Sequence, residues 1–350
     1  EKFSADRNYS YYLDSIGSVN RLPSIEKSKL MTLLGILAVY IIAVGPVCYL
    51  VLRKKDKREK GWIAIPAIAV VFSVVIFGIS ATSYQKEALI NFMSYTDLDS
   101  ARPTTQVSVG IRTPEKGDIA VTFDVTVYVY DNGRHYVNSY SDRNQSICNY
   151  SVNNSDSSMT ITYFDQNSWA DNSFNTSIAY GEESAIGGYF TISGSNLVGT
   201  VTNNFDYDLF DVMVGFAGQY QKVGRIEAGG SADISIPLSA EEYNKWQENS
   251  YQLIRQMFYG LGEDMYSDSM VFRTGMSAQE AYKTEQRYNL FNGTVLNRYY
   301  DLRDSGFDVT VAAFSEKRLI EGEKRINGKT ANENWENMYV KTFSADISLA

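Results

Sequence analysis

The chain has 350 residues, a net charge of −9, one histidine and two cysteines. The acidic balance argues against nucleic acid as a partner, because a phosphate backbone is bound through Lys and Arg. With His135 alone there is no Cys/His cluster for zinc and no convincing Ser–His–Asp triad, and Cys48 and Cys148 lie in segments too unlike to pair.

Residues 1–29 read as a lead-in to a helix, with Pro23 and Ser24 as start signals. The first residue is Glu1, and an extracytoplasmic domain missing from the N-terminal side is expected. Leu30 to Leu52 and Trp62 to Ala81 then carry no charged residue. A bilayer core of about 30 Å takes roughly 20 apolar helical residues, so both runs are long enough to span it. The segment 30–81 is therefore expected to be a transmembrane hairpin, with helices over 30–52 and 62–81 and a turn over 53–61. Gly45-Pro46 should break the first helix, while Pro66 falls in the first turns of the second.

The turn holds Arg53, Lys54, Lys55, Lys57, Arg58 and Lys60, interrupted only by Asp56 and Glu59. Short loops rich in Lys and Arg stay in the cytoplasm, so both chain ends are expected on the extracytoplasmic side of a cell membrane. Trp62 reads as an interfacial anchor, and the turn would meet anionic headgroups. Neither run contains an ionisable residue that would mark an ion or proton path. Residues 1–60 carry eleven basic and six acidic residues, and the remaining 21 basic and 35 acidic residues leave a balance of −14 beyond the turn.

From Ala88 the pattern changes to period two, as in "TQVSVGIRT" and "DIAVTFDVTVYVY", which predicts half-buried strands. Asp131-Asn132-Gly133 predicts a hairpin turn. Residues 141–185, rich in Ser, Asn and Asp, are expected to form an irregular, loop-heavy insertion. Residues 187–238 alternate in short runs split by "SGSN", "TNNFDYD" and "EAGGS", the pattern of a small antiparallel, Ig-like sandwich. Residues 239–304 return to helical spacing, with capping boxes at Ser239–Glu242 and Ser277–Glu280, a stop near Gly260 and a break at Asn292-Gly293. Strands are expected again at "FDVTVAAF" and "MYVKTF". The fold class is thus a transmembrane helical hairpin followed by a mainly-β extracytoplasmic domain over 82–350 with accessory helices.

Catalytic chemistry is hard to find. "SIEK" and "SYQK" match Ser-x-x-Lys but lie at helix–membrane borders, where Ser caps and Lys snorkels, and the companion elements of such enzymes are absent. "DQNSWADNSFN" offers oxygen ligands for calcium, yet Ala170 and Thr176 stand where an EF-hand loop needs Gly and Glu. No catalytic residue, metal ligand or cofactor site is assigned. The 26 tyrosines suit sheet faces, and in the insertion Tyr150, Tyr163, Trp169 and Phe174 are candidate ligand-binding aromatics for a glycan.

The hairpin "YIIAVGPVCYLVLRKKDKREKGWIAIPAIAVVFSVVIFGIS" resembles a group of uncharacterised bacterial membrane proteins, mostly Gram-positive, marked by Val-Gly-Pro-Val-Asn-Tyr, a basic turn, Trp and Ile-Pro. Here Cys48 stands where Asn is usual. "GTVTNNFDYDLFDVMVGFAGQYQKVGRIEAGGSADISIPL" and "FDVTVAAFSE" are similar to the outer sandwich of that group. The resemblance implies a two-pass protein with an amidotransferase-like extracytoplasmic domain upstream and transporter or ATPase neighbours, and it names no reaction. Three functions follow. One is a non-enzymatic envelope protein presenting its sandwich to a membrane or envelope protein partner. Another is a glycan or wall-polymer binder, and the last is the anchor of an enzyme whose active site lies upstream.

Overall fold

The computed structural model describes residues 27–54, 58–83, 88–100, 102–127, 129–130, 150–155, 157–181, 186–260, 276–296 and 308–347. The turn expected at Asp131–Gly133, His135 and Cys148 lie outside the described residues. Packing divides the chain into a hairpin unit, Pro23–Lys86 with Asp268–Ala281, and a β unit formed by the rest.

In the hairpin unit both apolar runs are helical. Helix α1 (Lys27–Ile42) passes through one π turn at Ala43–Val47 into α2 (Cys48–Lys54), and α3 (Gly61–Ser83) follows a 3-10 turn at Arg58–Lys60. The π turn falls at Gly45-Pro46. Pro46 has no N–H to give, and the chain continues by widening one turn, with the Cys48 amide reaching back to the Ala43 carbonyl. Tyr40 and Phe72 pack edge to face at 5.3 Å between the two helices. Most other large side chains point away from the pair, among them Leu37, Ile41, Leu50, Val70, Val74 and Phe77. Leu34–Lys54 and Gly61–Gly78 are each long and apolar enough to cross a membrane.

The β unit begins with β1 (Leu89–Asp97), β2 (Thr104–Arg112), β3 (Gly117–Phe123), β4 (Val129–Tyr130), β5 (Tyr150–Asn154), β6 (Met159–Gln166) and β7 (Asn172–Ala179). It continues with β8 (Ile186–Ser193), β9 (Asn196–Asn203), β10 (Leu209–Phe216), β11 (Gln219–Ile226) and β12 (Ser231–Pro237). Helices α4 (Ala240–Tyr259) and α5 (Ala278–Phe291) come next. Then follow β13 (Asp308–Ser315), β14 (Lys324–Ile326), β15 (Lys329–Thr330), β16 (Asn332–Ser344) and β17 (Asp346–Ile347).

Eight strands form one long sheet in the order β11-β10-β13-β16-β1-β2-β7-β4. Two shorter sheets, β15-β14-β3-β6-β5 and β12-β9-β8-β17, accompany it. The long sheet is antiparallel except at its centre, where β1 and β16 run parallel with Phe92 beside Trp335. Strand β1 is buried almost without interruption, because both of its faces are covered.

Two apolar cores lie on the same face of the long sheet. One gathers Ile90, Phe92, Val109, Val121, Ile161 and Trp335 between the sheet and β3/β6. The other gathers Phe190, Val201, Val214, Ile234, Val311 and Tyr339 between the sheet and β8/β9/β12. Trp335 and Tyr339 are four residues apart on β16 and so point the same way, one into each core. A polar seam separates the cores on that face. Ser94 Oγ donates to Asn337 Oδ1 at 2.8 Å, and Asn337 Nδ2 donates to the Lys317 carbonyl at 2.7 Å and to Ser315 Oγ at 3.2 Å. The opposite face carries α4 and the body of α5 from Tyr282 onward. Phe258 of α4 meets Phe314 of β13 at 6.0 Å and Phe291 of α5 at 5.6 Å.

Both expected boxes cap their helices, and the one at Ser277–Glu280 closes with both of its bonds. Ser239 Oγ accepts from the Glu242 amide, and Gly260 ends α4 in the left-handed conformation at φ 62°. Ser277 and Glu280 bond reciprocally, and α5 gives way to a π turn at Asn292–Leu296. The sandwich expected over 187–238 is present, but it is half of a larger construction and borrows β13, β16 and β17 from the chain's end. The loop-heavy insertion expected over 141–185 is not what the described residues show, since β5, β6 and β7 lie there. β6 alternates Met159, Ile161 and Tyr163 inward, and β7 is covered on both faces. Its polar residues are used across strands, as where Ser108 Oγ donates to Asn175 Oδ1 at 2.7 Å.

The parallel centre is held by a ring stack: Phe92 and Trp335 lie 3.8 Å apart and 2° from parallel, both buried. Trp335→Ala is expected to cost about 3–5 kcal/mol, since it empties the core at the junction of two sheets. Urea unfolding of the detergent-solubilised chain, followed by near-UV circular dichroism, checks this; an unchanged midpoint would contradict it.

Candidate functional site

The most concentrated chemistry among the described residues is an ion network between α5 and the long sheet. Arg287 faces the sheet, with its side chain 9% exposed. Its Nε donates to Glu336 Oε2 at 2.7 Å, its Nη1 to Asp211 Oδ2 at 2.9 Å and its Nη2 to Glu316 Oε1 at 2.7 Å. One guanidinium fork thus joins strand β16, strand β10 and the residue that follows β13. Lys222 pairs with Asp211 at 2.6 Å, and Lys283 pairs with Glu316. Three cations face three carboxylates.

Local structure aims these groups. The β10–β11 ladder slips at Leu209–Met213, and Asp211 sits in that bulge at φ 43°. A bulge turns one side chain out of the alternation, and here it sends Asp211 to the helix side beside Arg287. Glu336 lies between Trp335 and Asn337 and so points to the helix face, where nothing of it reaches solvent. Phe210 gives the guanidinium an aromatic neighbour at 5.1 Å.

Burial pushes the Glu336 carboxyl up to about 7 against the pull of Arg287. Burial also works against the charge on Arg287, but Glu336 and Asp211 outweigh it and raise its pKa, so Arg287 stays charged. For Asp211 burial acts upward, and Lys222 and Arg287 together hold it below the usual carboxylate value. Each charge is already engaged by another within the protein, which makes this a docking device for α5.

A second buried cation, Lys324, lies on the opposite face. It donates to the carbonyls of Ile320 and Gly322, stands 3.4 Å from Glu333 and lies 5.7 Å from the Trp335 ring centre. Burial lowers its pKa, with Glu333 opposing. It is 0% exposed and pins the loop before β14 to the first core. A shallow hollow of about 220 Å³ lies beside β11, β12 and α4, with Tyr220, Ile236, Trp246 and Leu253 in its wall. Its strand edge is partly closed, because Gln221 Oε1 accepts the Ser235 amide at 3.1 Å and Pro237 has no N–H to offer.

The aromatics chosen from the sequence are not displayed together on the surface. Tyr163 and Phe174 are buried in the first core, 2% and 6% exposed, which corrects the expectation that they could stack on a glycan. Tyr150 packs against Tyr163 at 5.8 Å between ring centres, and Phe174 meets Phe123 at 5.6 Å. Trp169 is half-buried in the β6–β7 turn at φ 63°, its amide bonded to the Thr113 carbonyl. Alternation along β6 and β7 was the signal that these rings face inward. Exposed aromatics that sequence reading passed over include Tyr189 of β8, at 62%, and Tyr243 and Tyr251 of α4. In the basic turn Arg53, Lys54 and Lys60 are exposed, and Trp62 is 77% exposed. Arg58 lies in the 3-10 turn, and Lys55 and Lys57 lie outside the described residues. No group of three or more His, Cys, Asp or Glu converges as a metal site among the described residues.

Residues 185–346 match the family model described as a domain of unknown function, DUF8725. The match spans just under half of the chain and takes in the second core, both helices of the β unit and the network. Strands β1–β7 and the hairpin fall outside it. No curated protein sequence matches the chain. Among solved structures, the yeast delta-COP-I mu-homology domain complexed with a Dsl1 WxWxV peptide is similar at 8% identity and TM-score 0.29, covering 74% of this chain and 96% of that chain. The same yeast domain solved alone is similar at 8% identity and TM-score 0.28, covering 75% of this chain and 98% of that chain. Superpositions this loose carry no argument about this chain.

Arg287→Met is expected to destabilise the β unit by about 3–5 kcal/mol, because it leaves the buried Glu336 carboxyl and the Asp211 carboxylate without the partner they share. Adding Glu336→Leu should restore a large part of that loss, and a double-mutant cycle by urea unfolding reads the coupling. The pH response follows from the two carboxyls. Glu336 has a folded value above its unfolded 4.5, so its contribution is complete below about pH 4.5 and lost as pH rises through about 7. Asp211 is held below 3.8 and acts in the other direction: its contribution is present above that pH and lost in acid. Thermal melts are therefore expected to peak between these limits. Glu336→Gln should flatten the decline from about pH 5 to about pH 8.

Proposed function

We propose that the chain is a membrane-anchored, non-enzymatic envelope protein whose hairpin crosses the bilayer and whose β unit is offered to a protein partner on the extracytoplasmic side. The observation that carries this reading is the outward-facing apolar surface of the hairpin. Val39, Ile41, Leu50, Val70, Val74 and Phe77 are all largely exposed. Each such side chain left in water costs about 1.5–3 kcal/mol relative to burial, and a bilayer removes that cost along both helices at once. Arg53, Lys54 and Lys60 at the turn favour the cytoplasm for the loop, and Trp62 suits the interface. The non-enzymatic part is supported by where the buried charges go. Arg287, Glu336, Asp211 and Lys324 are spent on neighbours within the fold, a structural use of groups that catalysis would leave facing substrate. From the resemblance of its sequence, the partner belongs with a transporter or ATPase complex of the same membrane.

Orientation is tested in a chain carrying Cys48→Ser and Cys148→Ser, with Lys54→Cys as the sole thiol. A membrane-impermeant maleimide should label it only after the cells are opened; labelling of intact cells would reverse the topology. Partner and activity are tested by crosslinking in intact cells followed by mild detergent extraction. A stoichiometric membrane protein is the expected product. Recovery with wall glycan alone, or a hydrolase activity abolished by one point substitution, would overturn the proposal.

A further inference from the structure

We draw no further inference here: the strongest candidate, the shallow hollow between the β11 and β12 edges and helix α4, is a small recess of mixed polar and apolar lining whose strand edge is partly closed by Gln221 and Pro237, and nothing in the structure shows what covers it.

Discussion

The β unit depends on one pairing, the parallel contact of β1 with β16 at the centre of the long sheet. A parallel pair cannot be closed by a tight turn, so a long connection must join its strands. Here strands β2–β15 and helices α4 and α5 lie between them in sequence. Among the described strands the first is folded against nearly the last, and the stacked Phe92 and Trp335 rings seal that closure. Along its pairing with β1, the same strand β16 gives Trp335 to one core and, four residues on, Tyr339 to the other. The two halves of the β unit therefore share a backbone, with Asn337 and Ser94 marking the border between their cores. The matched family segment contains β16 but lacks β1, so in this chain the long sheet is completed by strands from outside it.

Polar groups do different work on the two faces of that sheet. On the side of the short sheets, hydroxyls and carboxamides form a narrow seam between apolar cores. On the helix side, one arginine binds carboxylates from three places along the sheet. An ion network of this kind adds little net stability over a well-packed apolar substitute, but it fixes geometry, because removing one member leaves another buried without its partner. The position of α5 over β10 and β16 is specified this way, and the Phe258 and Phe291 rings fill the space around it.

The hairpin unit follows another logic. Among its described residues the two helices meet along a thin seam, and large apolar side chains of both face outward. Water is a poor solvent for such a surface, and a bilayer is a good one. The interruption at Pro46 is absorbed by one π turn without introducing a polar side chain. In the β unit, by contrast, the buried charges Arg287, Glu336, Asp211 and Lys324 are each met by a partner within the fold.

Local rules made a good part of this legible before any coordinates. Uncharged runs of helical length, the Gly45-Pro46 break, both capping boxes and the Gly260 stop are properties of neighbouring residues, and neighbouring residues are what a sequence displays. Alternation showed most strands for the same reason. It was missed at Met159–Ala179, where Ser and Asn suggested loops, because whether a polar residue is buried depends on a partner strand such as Ser108 provides for Asn175. The ion network was invisible in advance. Asp211, Arg287, Glu316 and Glu336 are scattered along the chain, and only a bulge, a helix face and two strand ends bring them together. By itself the sequence determined the helices, their caps and the alternation, which are set over a few residues. The tertiary structure decided strand order, the shared sheet, and whether Tyr163 and Phe174 are surface or core, because these depend on contacts between residues far apart in the chain.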